Sequence, residues 1–523
     1  IEPDGTAANI GLAGEDPANI GRYLTASAGG AGGMVLSPDG ETLVFQWSIT
    51  GEPQLWMMPA TGGQPKRLTY GSAVGAFAWS PDGTHVFYSA DNDGDEQPAY
   101  YMLRADGSAE TEALPAVANG FRVFGGFSGS TSIVYASTER NGLDFDLYAA
   151  NLLTGESELI REGSFGFYPD QPSPDGRYVT VSEPVGEDSN DLHLFDLETR
   201  ELTTGSAPER RAAHASVQWL QDGSGFYLVS NVDREFQALM FKPIGGQMRV
   251  IQDREADIET VRVCGPADRY LIWLTNVGGY HEMQGVDRRT GEALEIPEMP
   301  EGVYGLTCSR ESSQAVVRVT GWRTIGDLVS WNLATGETTA AFEASWAGLD
   351  PDKLVRPESI TLPARDGVEV QGLLYLPDDA SRLDAGPPPV IFDVHGGPTS
   401  QSRPTFSPIA QYYVDRGIAV FEPNVRGSTG FGHTYVTLDD QEKRLDSVRD
   451  LVDMLTYLGE QGWIDADRAI VSGGSYGGYA VNAALANFPG HFIAGVSLYG
   501  VADWVQALEI ASPGLKASDR VEY

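Results

Sequence analysis

The hydrophobic and polar positions divide the chain into two regimes. From about residue 24 to residue 345, short apolar or β-branched runs alternate with polar turns. Examples are Leu43-Val44-Phe45, Val86-Phe87-Tyr88, Tyr178-Val179-Thr180-Val181 and Phe226-Tyr227-Leu228-Val229. A turn precedes each run: Ser37-Pro38-Asp39-Gly40 recurs as Ser80-Pro81-Asp82-Gly83, as Ser173-Pro174-Asp175-Gly176 and, in degenerate form, as Gln221-Asp222-Gly223. Proline presets the first turn position and Asp-Gly tolerates positive φ, so each copy predicts a hairpin. A further strand follows in each unit, such as Gln54-Leu55-Trp56-Met57, Asp146-Leu147-Tyr148 or Asp191-Leu192-His193-Leu194-Phe195. A second turn then closes it, as Thr61-Gly62-Gly63, Thr154-Gly155-Glu156, Thr290-Gly291-Glu292 or Thr335-Gly336-Glu337. Weaker copies begin near Val123-Phe124, Val261-Arg262-Val263 and Tyr304-Gly305-Leu306. A period of roughly 40–50 residues with about four strands is that of a β-propeller blade. Seven units fit the interval. A two-sheet sandwich could use similar strands, but it would not repeat its turn sequences.

After Asp350-Pro351 the period changes. Ser359-Ile360-Thr361-Leu362 and the run from Val370 to Pro377 predict a hairpin, Ile409 to Arg416 a helix, and Ile418 to Phe421 a strand. Apolar residues at 448, 451, 452, 455 and 458 predict an amphipathic helix from Val448 to Gly459. Ala469-Ile470-Val471, the alanine-rich run from Ala480 to Ala486 and the run from Ile493 to Tyr499 continue the alternation. Strands alternating with helices predict a parallel sheet covered on both faces. The expected organisation is a poorly structured lead-in (1–23), a seven-bladed β-propeller (24–345) and an α/β domain (346–523).

The chemistry gathers in the second regime. A buried strand runs into Gly473-Gly474-Ser475-Tyr476-Gly477 and a helix follows, which is the context of a nucleophile elbow. Such a turn strains the serine backbone, so Gly473 and Gly477 must lack side chains that would clash. Ser475 is therefore the candidate nucleophile, with the N-terminus of the following helix facing any oxyanion. A second apolar strand, Pro389 to Val394, ends in His395-Gly396-Gly397-Pro398. This loop assigns the oxyanion hole to the backbone N–H groups of Gly397 and Tyr476, with His395 holding the loop by hydrogen bonding. Arg426 follows another strand near the sheet edge where ligands bind. It reads either as fixing a substrate carbonyl or as ordering its glycine-rich loop.

These two motifs, with Asn424-Val425-Arg426-Gly427-Ser428-Thr429-Gly430-Phe431-Gly432, resemble the prolyl oligopeptidase family of serine peptidases. The Gly-Gly-Ser-Tyr-Gly-Gly form is most similar to its acylaminoacyl-peptidase branch. The resemblance implies an α/β-hydrolase domain behind a seven-bladed propeller that limits entry to short or unfolded peptides. It implies an oligopeptidase or exopeptidase that takes acyl-amino acids or dipeptides from N-termini through an acyl-enzyme. The hydrolase order is Ser, then Asp or Glu, then His. After Ser475 the only histidine is His491, too close along the chain to serve, and the only later aspartates are Asp503 and Asp519. The expectation is that the triad Asp and His lie beyond Tyr523, that the hydrolase domain is C-terminally incomplete here, and that a C-terminal fragment of the same protein is a separate chain or is missing. Two rivals use the same residues differently: an esterase or other acyl hydrolase, and a non-catalytic propeller binding protein.

Composition narrows the partners. The formal net charge is −38, and Lys66, Lys242, Lys353, Lys443 and Lys516 are the only lysines. So acidic a surface argues against nucleic-acid and anionic-membrane partners, which need basic patches. No apolar run reaches the ~18 residues of a membrane span. The resemblance allows a homo-oligomer. The chain begins at Ile1, which a cleaved secretory signal or a trimmed start would explain, so a periplasmic or secreted location is favoured over a cytoplasmic one. Cys264 and Cys308 are the only cysteines, 44 residues or about one repeat apart, and read as two buried free thiols. Asp91-Asn92-Asp93-Gly94-Asp95-Glu96 has Met102 where a calcium loop needs its twelfth, acidic ligand, so it reads as an exposed hairpin loop. No metal or other cofactor is expected.

Overall fold

The computed structural model describes residues 18–92, 94–163, 166–378, 386–511 and 515–516. The first seventeen residues of the lead-in, Asp93 and Asp519 lie outside the described residues. Seven antiparallel sheets occupy the first regime, six of four strands and one of three, each built from consecutive strands. The repeated turn has one structure. In Ser37–Gly40 the serine Oγ donates to Asp39 (2.5 Å), Gly40 N–H donates to Ser37 O (2.9 Å), and Thr42 N–H donates back to Ser37 Oγ (2.9 Å). The Ser80 and Ser173 copies repeat it, and the glycine φ values of +82°, +68° and +70° explain why glycine stands there.

The ring closes by packing between the first and last blades. Leu43, Phe45 and Met58 share a core with Val316, Leu328 and Ala341. Ser345 N–H donates to Gly29 O (3.1 Å), and Leu36 N–H to Thr307 Oγ1 (3.1 Å). In the three-stranded sixth blade, a bridge between Val286 and Ala293 stands where an outer strand would start.

Two expectations are corrected here. Cys264 and Cys308 form a disulfide, with Cα atoms 5.6 Å apart. Each ends the inner strand of its blade (Ile258–Cys264 and Val303–Cys308), and inner strands of neighbouring blades converge on the propeller axis. One repeat of separation therefore places the two thiols side by side. Closing a 44-residue separation should limit the unfolded chain by about 4 kcal/mol at most. Cys308→Ser is expected to lower the melting temperature of the oxidised protein and to leave that of the reduced protein nearly unchanged, which calorimetry with and without reductant checks.

The second correction concerns the lead-in. Helix α1 (Ile20–Ser27) begins at Asn19, whose side chain accepts from Arg22 N–H (3.3 Å). It packs on the second domain before the chain enters blade one: Tyr23 Oη donates to Asp415 (2.8 Å), and Arg416 donates to Ala18 O (2.6 Å). A segment poor in long apolar runs is thus ordered by tertiary contact.

Among the described residues the second domain carries one six-stranded sheet. Numbered within it, the strands are β1 (Glu358–Pro363), β2 (Glu369–Tyr375), β3 (Val390–Val394), β4 (Ala419–Asn424), β5 (Ala469–Gly474) and β6 (Ala494–Leu498). Their spatial order is β1-β2-β4-β3-β5-β6, with β4, β3, β5 and β6 parallel. Helix α2 (Pro408–Val414) covers one face. On the other lie α3 (Arg444–Glu460) and α4 (Tyr476–Asn487). Alternation along β3 divides the cores: Val390, Phe392 and Val394 pack with Leu451, Leu455 and Ala480, whereas Ile391 packs with Val414 and Val420. Strand β6 pairs with β5 alone and is exposed on both faces among the described residues.

Candidate active site

Strand β5 delivers Ser475 at φ +56° and ψ −121°, a region L-residues rarely occupy, and α4 starts at the next residue. The turn is held by Ser475 N–H donating to Leu498 O (3.1 Å) and Tyr479 N–H donating to Ser475 O (3.0 Å). A Cβ at Gly473 would lie 2.6 Å from the Gly477 carbonyl carbon, and one at Gly477 would collide with the Val394 carbonyl oxygen. Elbow and neighbouring strand thus approach too closely for any side chain at either glycine. Ser475 itself is exposed.

The loop after β3 lies against this serine. A Cβ built on Gly396 would be 3.4 Å from Ser475 Cβ and 3.9 Å from its Oγ. Gly397 adopts φ +118°, where a Cβ would sit 2.6 Å from Thr399 N. Tyr476 is the first residue of α4, where backbone N–H groups lack intrahelical acceptors and the helix dipole is positive. The Tyr476 side chain is buried, and its hydroxyl lies 2.8 Å from Ser447 Oγ. The arrangement offers an exposed hydroxyl between a glycine loop and a helix N-terminus, which suits attack on a carbonyl and stabilisation of the resulting oxyanion.

His395 faces away from the serine. Its Nδ1 lies 2.7 Å from Gly396 O, which can only accept, so Nδ1 carries the proton. Its Nε2 lies 3.0 Å from Ser428 Oγ, and burial lowers its pKa, keeping the ring neutral. The ring ties the β3 loop to the β4 loop. Arg426 is buried and held by two carboxylates: Nε and Nη2 donate to Asp450 (2.8 and 2.7 Å), and Nη1 and Nη2 to Asp366 (2.8 and 3.1 Å). These four bonds tie the Arg426 loop to Asp366 and Asp450, an arrangement that suits the loop-ordering alternative. His491 lines a pocket with Pro387, Gly459 and Asp465, at the end of the sheet opposite Ser475. Asp503 caps helix α5 (Trp504–Ile510), accepting from Gln506 N–H (3.2 Å). His491 is thus not placed to assist the serine, and Asp503 serves as a helix cap.

Sequence reasoning missed the propeller's contribution. A cavity of 390 Å³ lies between blades four and five and the loops at 399 and 429–436. Glu187, Asp188, Ser189, His214 and Asp257 line it from the propeller, and Thr399, Gly430 and His433 from the second domain. Thr399 Oγ1, two residues beyond Gly397, donates to Glu187 (2.5 Å). Asp188 is buried 3.7 Å from His433 Nδ1, and its Oδ1 has no partner among the described residues. His214 is 5% exposed with both ring nitrogens unpartnered among the described residues, and burial lowers its pKa to about 4. Burial raises Asp257 to about 6. The available signal was the long fourth-blade hairpin, Tyr178–Gly186 and Ser189–Asp196, whose tip Glu187-Asp188 exceeds the usual strand length.

Propeller, parallel sheet, serine elbow and glycine loop together define a propeller-capped α/β-hydrolase. The prolyl oligopeptidase family profile matches residues 404–513. Dipeptidyl aminopeptidase BIII of Pseudoxanthomonas mexicana is 24% identical over 505 residues, covering 91% of this chain and 71% of that protein. The uncharacterized peptidase YuxL of Bacillus subtilis (strain 168) is 25% identical, covering 92% and 75%. The crystal structure of puromycin hydrolase superimposes with a TM-score of 0.78 at 20% identity, covering 96% of this chain and 82% of that one. Residues 404–513 thus match a prolyl oligopeptidase family domain, and the chain is similar to the two peptidases over more than nine-tenths of its length.

Proposed function

We propose that the protein is an exopeptidase that cleaves short units from peptides bearing a free N-terminal amine. Ser475 Oγ attacks the scissile carbonyl, and the N–H groups of Gly397 and Tyr476 receive the oxyanion. The amine leaves, and water then releases the acyl group from the serine. His395 and His491 are not placed to take the Ser475 proton, so another residue of the whole protein serves as base. The observation that carries the N-terminal specificity is the cavity beside the glycine loop. Glu187 and Asp188 offer negative charge to it, and its two histidines, both with lowered pKa values, add no competing positive charge. A substrate ammonium there would satisfy Asp188 Oδ1, a buried oxygen that is costly to leave unpaired. The dipeptidyl aminopeptidase among its relatives supports the same reading.

The test compares dipeptidyl-p-nitroanilides with their N-acetyl counterparts on the full-length protein. The free amine should be preferred at least tenfold in kcat/KM, and Asp188→Asn should erase the preference mainly through KM. Equal or better turnover of the acetylated substrate would point to acylaminoacyl release. Turnover of p-nitrophenyl esters alone would point to an acyl hydrolase.

A further inference from the structure

A polar row crosses the second domain directly behind the candidate active site. Parallel register pairs Phe392 with Phe421 and Asp393 with Ser472, so Glu422, Asp393 and Ser472 are neighbours on β4, β3 and β5. They occupy the α2 face of the sheet, otherwise made of Ile391, Val420, Ile470 and Leu373. Each stands a few residues before a functional loop: Asp393 before His395-Gly396-Gly397, Ser472 before Ser475, and Glu422 before Asn424. Asn424 in turn accepts from Ser402 N–H (2.6 Å) and donates to Ser402 O (3.1 Å).

The groups facing the two carboxyls are all neutral. Tyr375 Oη on β2 donates to Glu422 (3.4 Å), Ser407 at the head of α2 also reaches Glu422, and Ser472 reaches Asp393. Among the described residues no arginine, lysine or histidine pairs with either one. Two like charges side by side on an apolar face cannot both be carried cheaply, so one proton stays with the pair. In keeping with this, burial and the neighbouring Asp393 raise Glu422 to about 8, and burial raises Asp393.

We infer that Asp393 and Glu422 are a proton-sharing carboxyl pair that holds the ends of β3, β4 and β5 together and so positions the glycine loop against Ser475. Both are positioning residues; neither touches the reacting atoms. Loss of the shared proton leaves two carboxylates on adjacent strands, which part, and the loop loses its registration with the elbow. The catalytic consequence rests on the peptidase reading, whereas the pair itself does not.

The sign of the pH effect follows from linkage. An unfolded glutamate releases its proton near pH ~4.3, whereas the folded pair keeps one to about pH 8. The folded state therefore binds more protons in that window, and stability falls as pH rises through it. Glu422→Gln supplies a permanently neutral partner of the same shape. Its melting temperature should fall less than that of wild type between pH 6 and pH 9. A wild-type-minus-variant infrared difference spectrum at pH 7 should show a protonated-carboxyl band. Hydrogen exchange at the Gly396 and Gly397 amides should accelerate in wild type above pH 8, relative to the variant at equal pH. In full-length enzyme the alkaline limb of kcat should move to higher pH in the variant, with KM little changed. Parallel melting curves, an unchanged band or equal loop exchange would each overturn the proposal. Absence of peptidase activity in wild type would instead sink the functional reading, leaving the spectroscopic and exchange measurements to decide the pair.

Discussion

Ser475→Ala in the full-length protein is expected to abolish peptide turnover and labelling by a fluorophosphonate probe, while peptide binding survives. Loss of a serine nucleophile typically lowers kcat by on the order of 10⁶. The structure adds a second measurement at the same residue. Ser475 is held at φ +56° by the close approach of Gly473 and Gly477 to β3, and alanine inherits that strain whereas glycine does not. Ser475→Gly should therefore be as inactive as Ser475→Ala but more stable by roughly 1–2 kcal/mol, readable as a higher melting temperature. Equal stability of the two variants would mean that the elbow is not strained. Residual labelling of Ser475→Ala would mean that another residue is the nucleophile.

Asp450→Ala is expected to be the most destabilising single change outside the elbow, by about 3–5 kcal/mol. Asp450 on α3 is fully buried, and it fixes Arg426, itself only 3% exposed, through two short hydrogen bonds. Its removal strands a guanidinium in the core. Asp366 also grips Arg426, but its side chain is 43% exposed, so solvent would replace it and Asp366→Ala should cost under about 1 kcal/mol. Because Thr429, Gly430 and Gly432 of the Arg426 loop line the cavity, Asp450→Ala should also raise KM. Replacing the pair together, as Arg426→Met with Asp450→Leu, should recover most of the stability, since no unpaired charge then remains. Urea melts of the three variants check the order. Equal losses for Asp366→Ala and Asp450→Ala would contradict it.

Much of the fold was legible because its signals are local. The Ser-Pro-Asp-Gly turns form the same hydrogen bonds wherever they occur, so their recurrence set the blade period, and the weaker copies between them completed the count without knowledge of how the ring closes. The Gly473–Gly477 elbow was likewise readable, because strand, turn and helix are contiguous. Arg426 was ambiguous because its partners are distant: Asp366 lies 60 residues away and Asp450 24 residues away. The free-thiol reading failed because bonding depended on the convergence of two inner strands, which spacing alone suggested without deciding. Residues 19–23 read as part of a poorly structured lead-in because their order comes from Asp415 and Arg416, nearly 400 residues later.

The sequence by itself determined the propeller, the parallel sheet and the elbow turn at Ser475, since turn chemistry, periodicity and a contiguous elbow act within a few residues of themselves. Only the tertiary structure decided what surrounds that serine. The acidic cavity brings Glu187 and Asp188 to Thr399, and the carboxyl row sets Asp393 beside Glu422. Both depend on which strands and blades become neighbours. That choice is made by the burial of whole faces, and no single segment records it.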